Sequence, residues 1–423
     1  MLKKRERSAP ERRTRLDLTI CAVIAVVAVV IGVVVWQVSD ERHSHSHPAD
    51  AALTIPMAAA SAPAVLSPAW SVPSPATSSP ALGGAVFVTG NGGTVSGIDP
   101  VTGDTRWSYD RDHELCAVTV TGNDTSALAV AAYRNSRGCG EVSTIKALTG
   151  TRGPTRSSDD DTSITLSSDG DYTLAQGPTR LETWGNTMIR GVEYGRVDAP
   201  VNPDVQPRSG CTLLSSGVGS GRVAVVERCP GDVGYRLTVI ATTLDSNQKV
   251  QQYGSQIVTA STDTPAPRVV GVGTNAVALY DGSPTGVNVD GPVIRLYSFE
   301  VTLMSTHRVS GAAAAPADSV PVTSEGLTCF WTGTDTVVLD ANSLVPTYQV
   351  PGTLGPGSMM GSDLVMPEPG VLAVLDPATG AKVRAIAVDR GAHTSGAVSV
   401  GVIGDVVAEL YDHTLHGLRS RTP

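Results

Sequence analysis

The densest set of metal-capable oxygens in this 423-residue chain is Asp159-Asp160-Asp161, with Asp169 and Asp171 close behind. Clustered carboxylates are the ligands calcium prefers, but the run lacks the alternating Asp spacing that wraps a loop around the ion. Its expected place is a solvated loop joining two structural units. His43, His45 and His47 alternate with serine and offer three imidazoles. Nothing around them fixes a ligand geometry, so the tract reads as linker. The other histidines are His113, His307, His393, His413 and His416. All are isolated in sequence except His413 and His416, which flank a strand and need not converge. No G-x-S-x-G, H-E-x-x-H or P-loop is present. Asn123-Asp124-Thr125 is a glycosylation sequon, relevant only in a cell that modifies such sites. No residue is singled out as catalytic, cofactor-binding or metal-ligating, and the expectation is a non-enzyme without a cofactor.

The elements that must carry these residues are short strands. Residues 83–109 split into strands at 85–89, 94–98 and 105–109. Asn91-Gly92-Gly93 and Asp99-Pro100-Val101-Thr102-Gly103-Asp104 are the turns, with Gly and Asn tolerating the positive φ that tight turns need. The second turn recurs at Asp376-Pro377-Ala378-Thr379-Gly380, more loosely at 147–150, and more loosely still at 337–344. Further triplets of strands lie at 172–192, 222–253 and 276–309. Regular short strands bounded by Gly, Asn, Asp and Pro are the pattern of propeller blades. Three strands at 397–418 end the chain one strand short of a blade. The segment around Trp70 has no other home, and it is expected to complete that blade and close the ring. This gives an all-β, eight-bladed β-propeller, with seven blades as the alternative.

Cysteine placement fits the same scheme. Cys116 precedes a strand and Cys139 follows the next; Cys211 and Cys229 do the same further on. Antiparallel neighbours bring such ends together, so disulfides Cys116–Cys139 and Cys211–Cys229 are expected, against the alternative of four buried thiols. Cys329, beside Phe330 and Trp331, has no evident partner.

The order of strand, Gly-Gly, strand, D-x-x-T-G and x-x-Trp at 83–109 resembles one blade of the PQQ-type β-propeller repeat. That family includes quinoprotein dehydrogenases and the BamB-type propellers of bacterial envelopes. Its enzymes carry a docking Trp in nearly every blade, calcium-binding carboxylates, a catalytic Asp and often an adjacent cysteine pair. Here no two cysteines are adjacent. The five tryptophans, Trp36, Trp70, Trp107, Trp184 and Trp331, are too few and too scattered for that set. The resemblance therefore covers blade architecture over residues 68–419 and not the cofactor site.

Residues 18–38 form an apolar run of membrane-spanning length behind Lys3, Lys4, Arg5, Arg7, Arg12, Arg13 and Arg15, and a transmembrane helix is expected over 17–38. The positive-inside rule places residues 1–16 in the cytoplasm and the rest outside. A cleaved signal peptide would have a shorter apolar core and a small-x-small site after it. Residues 39–66, rich in Ala, Pro and Ser, read as a disordered linker, and 67–420 as the extracytoplasmic propeller. The first 16 residues hold seven basic and two acidic side chains, net +5. The remainder therefore carries −14 of the total −9, which argues against nucleic acid as a partner.

This layout resembles the single-pass propeller proteins of mycobacteria and corynebacteria, one type of which is implicated in lipomannan and lipoarabinomannan synthesis. That resemblance implies a non-catalytic scaffold at the cytoplasmic membrane, with membrane glycosyltransferases or other envelope proteins as partners, and a glycan as a further ligand. A BamB-like role with exported proteins and a glycan-modifying enzyme with its site in the funnel are the other readings.

Overall fold

The computed structural model describes residues 14–37, 39, 42–198, 200, 204–284, 291–393 and 396–420. The basic residues expected inside the cell at positions 3–13 lie outside the described residues. The chain forms two compact units, Met1–His45 and Ser46–Pro423.

Among the described residues, the first unit contains one helix, Arg15–Gln37, long and apolar enough to cross a membrane. Its start is a reciprocal cap. The Asp17 N–H donates to the Thr14 hydroxyl at 3.2 Å, and the Thr14 N–H donates to the Asp17 carboxylate at 2.7 Å. Two of the first-turn donors that a helix leaves open are satisfied in this way.

The second unit is an eight-bladed propeller of antiparallel sheets. Blades 1 to 7 occupy residues 81–111, 115–157, 165–195, 212–257, 268–308, 322–350 and 358–387. Blade 8 takes three strands from 399–419 and its outermost strand, Ser67–Pro73, from the other end of the chain. Ser67 pairs with Arg419 and Pro73 with Thr414, so the ring closes as the sequence predicts. Blade 1 carries a fifth strand, Ser44–His47, whose last two residues open the propeller unit.

The hydrophobic core is divided among the seams. Eight buried clusters are described, one for each pair of neighbouring blades. Central strands are covered on both faces, which is why Leu128–Asn135 reads as a nearly unbroken apolar run. The repeated turn has a physical basis. Asp99 accepts from the Val101 and Thr102 N–H groups at 2.8 and 3.1 Å, and Gly103 follows at φ 77°. Asp376 and Gly380 repeat this arrangement, with φ 72° at the glycine. Asp340 does so with Leu344 held at φ 60° in the glycine place, a conformation L side chains resist.

Residues 46–66 correct one expectation. They belong to the propeller unit and do not form a free linker. The Ala49 and Leu53 N–H groups donate to Thr149 and Leu148 carbonyls of blade 2 at 3.0 and 2.8 Å. The Ala59 N–H reaches the Gly404 carbonyl of blade 8, and the Ser362 N–H of blade 7 reaches the Ala60 carbonyl. Ala62 and Leu66 are 5% exposed within the core between blades 7 and 8. An Ala/Pro-rich segment has no periodicity to betray its register, yet its extended backbone bonds readily to a ring of turns.

Candidate functional site

Propellers offer two places for function, the axial channel and the turn-bearing faces. The channel here encloses about 630 Å³ and is lined by inner-strand residues such as Val118, Ser167, Ser216, Val270 and Val400. Asp169 is the only ionisable side chain among its lining residues. Its carboxylate is engaged in a turn, accepting from the N–H groups of Asp171 and Tyr172 at 3.0 and 2.8 Å. Several channel hydroxyls are likewise tied to the wall. Ser168 donates to Thr121 at 2.8 Å, and Ser216 to Gln176 at 2.7 Å.

The acidic run is the second correction. Asp159-Asp160-Asp161 joins blades 2 and 3, as expected, but it is not solvated throughout. Asp160 is 1% exposed. The Asp161 carboxylate accepts from the Thr179 and Arg180 N–H groups at 2.7 and 3.0 Å, and Arg196 lies 3.4 Å away. Asp160 faces a buried ion network. Arg156 meets Glu182 at 2.9 Å, Arg180 pairs with Glu182 and, at 3.2 Å, with Glu193, and Arg190 pairs with Glu193. The Trp184 indole N–H donates to Glu182 at 2.7 Å. Asp160 itself is poorly served: Arg180 Nε stands 3.7 Å away and Asp160 Oδ1 has no hydrogen-bond partner. Burial, reinforced by the Glu182 charge, pushes its carboxyl up to about 7. Glu182 is also pushed up by burial, but Arg156 and Arg180 outweigh that and hold it below the usual carboxylate range. Asp169 and Asp171 lie beyond the other end of the strand Thr165–Ser168 and do not join this group.

A second buried acid, Glu227 of blade 4, accepts from Tyr194 at 2.8 Å, Thr238 at 2.6 Å and Arg208 at 3.2 Å. Burial raises its carboxyl pKa. Cys211, Glu227 and Cys229 crowd together in a way that could suggest metal ligation. The two sulfurs are instead bonded to each other, which removes both thiolates.

Both expected disulfides are present, Cys116–Cys139 and Cys211–Cys229. The second brackets the first two strands of blade 4. The first differs slightly, because Cys139 falls on the third strand of blade 2, Gly138–Lys146. Cys329 is a buried free thiol.

Two of the five tryptophans, too few and too scattered for a docking residue in every blade, do dock on a neighbouring blade. The Trp70 indole N–H donates to the Pro100 carbonyl at 2.8 Å and its ring lies against Gly103 of the repeated turn in blade 1. Trp107 does the same with Ala147 at 2.8 Å and Gly150 of blade 2. Tyr348 substitutes for Trp at a third seam, donating to Pro377 at 2.8 Å over Gly380. A side chain at any of these glycines would collide with the ring.

The structure also joins two histidines that the sequence left apart. Tyr411 stacks on His416 with centroids 4.1 Å apart and lies 4.8 Å from His393. His393 Nδ1 is 3.0 Å from the Asp412 carboxylate. Burial lowers the His416 pKa. The sequence does not signal this grouping: it leads one to expect His413 and His416 only to flank a strand, and His416 lies within the strand Thr414–Arg419. His307 pairs with Ser305 on an outer strand, remote from this stack.

No protein-family model and no curated protein matches the chain. Among solved structures, a computationally designed protein, Ika8, superposes with TM-score 0.50 at 15% identity, covering 87% of this chain and 99% of its own. Dihydro-heme d1 dehydrogenase NirN aligns with TM-score 0.46 at 10% identity over 77% and 67% of the two chains. A chain of the mitotic checkpoint complex gives 0.43 at 12% identity over 72% and 86%. At these identities the likeness concerns the fold alone.

Proposed function

We propose that this protein is a membrane-anchored, extracytoplasmic propeller that acts as a non-catalytic scaffold in cell-envelope lipoglycan assembly, assisting membrane glycosyltransferases that extend lipomannan and lipoarabinomannan. The observation that carries the non-catalytic reading is where the perturbed acids sit. Asp160, Glu182, Glu227 and Asp281 are each buried inside or between blades and face arginines there. Groups tuned for catalysis are expected in a cleft open to substrate. A rigid ring presenting loops on two faces suits protein or glycan binding.

The apolar helix supports anchoring, and the two disulfides suit an oxidising compartment.

The test is deletion in the native host with analysis of envelope lipoglycans, followed by complementation with the full chain. Shortened or missing lipomannan and lipoarabinomannan, restored on complementation, is the expected result. An unchanged lipoglycan profile together with defective outer proteins favours the BamB-like role and refutes the proposal.

A further inference from the structure

We infer that residues 46–66 form a clasp over the seam of the ring, so that the closing strand Ser67–Pro73 opens only after the clasp lets go. Closure lies inside blade 8, where Ser67–Pro73 and Thr414–Arg419 come from opposite ends of the propeller chain and are joined by pairing alone. It depends on a single edge strand paired with Thr414–Arg419. Edge strands at a chain terminus are where fraying starts. Here the chain does not end at the strand but continues backwards across the ring, touching blade 2, blade 8 and blade 7 on the face that bears the first and third turns of each blade.

The clasp is held most firmly just before the closing strand. The Ala62 N–H donates to the Asp363 carboxylate at 2.9 Å. Arg384 donates to the Pro63 carbonyl at 2.7 Å and also to the Ala62 carbonyl. A guanidinium on two successive carbonyls fixes the backbone in one register. The turns beneath are cut to fit. A side chain at Gly361 would collide with the Ala59 and Ala60 carbonyls, and one at Gly404 would stand 2.8 Å from Pro56 Cβ. Ala62 and Leu66 are buried with Val400 and Leu418 of blade 8, and Leu418 pairs with Pro68, so the clasp packs against the strand that holds the closing strand. Any disturbance arriving from the anchor side therefore meets the clasp before it reaches Ser67.

Hydrogen exchange on the full chain in detergent micelles tests this with Arg384→Met, and with Asp363→Ala as a second variant. Losing charge-assisted bonds at the clasp is expected to speed amide exchange in Ser67–Pro73 and Thr414–Arg419 by about tenfold or more in both variants. Faster exchange confined to residues 46–66 would overturn the inference, since the segment would then be a passive covering. Faster exchange confined to Asp363–Glu368 and Lys382–Ala387 would overturn it equally, because the bonds would serve blade 7 alone.

Discussion

Replacing Asp160 with asparagine isolates one buried charge. In the folded protein this carboxyl titrates near 7 because burial and the Glu182 charge oppose its ionisation. An unfolded aspartate titrates near 3.9. Between those values the folded state binds more protons than the unfolded chain, so Asp160 makes stability fall as pH rises from about 4 to about 7 and level off above. A separation of about 3 pH units corresponds to at most about 4 kcal/mol. Arg180, Arg156 and Arg196 face the site from blades 2 and 3, and Glu182, Glu193 and Asp161 oppose them. Asparagine keeps the shape and the Ser158 contact and carries no proton to lose. The variant should therefore exceed wild type in stability at pH 8 by a few kcal/mol and match it to within about 1 near pH 4.5. Urea unfolding of the full chain from pH 4.5 to 8.5 measures this, and Trp184, bonded to Glu182, reports locally by fluorescence. Parallel pH profiles for the two proteins, or a variant less stable at pH 8, would refute the reasoning.

The docking aromatics should rank by burial: Trp107→Ala, at a position 1% exposed, should cost about 3–5 kcal/mol, and Trp70→Ala less, with reversed order in calorimetry counting against the seam picture. Alkylation under denaturing, non-reducing conditions should label Cys21 and Cys329 alone, and removing either disulfide by a Cys→Ser pair should lower stability by about 3 kcal/mol for loops of 23 and 18 residues. In the folded protein Cys329 should resist thiol reagents at neutral pH, because burial pushes its thiol up to about 12; fast labelling without unfolding would contradict that. Mass spectrometry of the mature protein should find the N-terminal segment intact, whereas a start beyond residue 40 would identify a cleaved signal.

Much of this was legible in the sequence because turns speak locally. The D-x-x-T-G turn is written in an Asp that caps two N–H groups and a Gly that takes a positive φ, so it announces itself without tertiary context. Its copy at Asp340 is harder to see because Leu344 takes the strained position. The closing strand at Trp70 was deducible by counting, since an incomplete last blade leaves one vacancy. The clasp was not, because Ala- and Pro-rich chain is compatible with solvent or with a surface, and only the glycines at 361 and 404 record the choice. The burial of Asp160 was equally hidden. Three adjacent carboxylates look solvated until Arg156, Arg180 and Arg196, spread over some 40 residues, are folded around them.

Five of the eight seams divide into two chemical kinds, and the division follows from which turn each blade owns. Where a blade offers a glycine in the positive-φ place, a flat aromatic from the preceding blade can lie on it and bond the turn carbonyl. That holds for Trp70 on blade 1, Trp107 on blade 2 and Tyr348 on blade 7. Blades 3 and 4 present no such glycine at the matching turn. Met188 occupies a positive φ in one and Gln248 in the other, and neither leaves a bare backbone for a ring. There the chain uses the Arg–Glu network and the Glu227 cluster instead, while the two disulfides each brace the inside of one blade, 2 and 4. Aromatic docking is indifferent to pH and redox state, while ion networks and disulfides are not. Sensitivity to reductant thereby falls on blades 2 and 4, whereas buried ion pairs also sit at Asp281–Arg295 in blade 5 and Arg390–Glu409 beside blades 7 and 8. The seam between blades 8 and 1 is held by Trp70 docking and apolar contact, while the clasp binds blades 7 and 8 beside the closing strand.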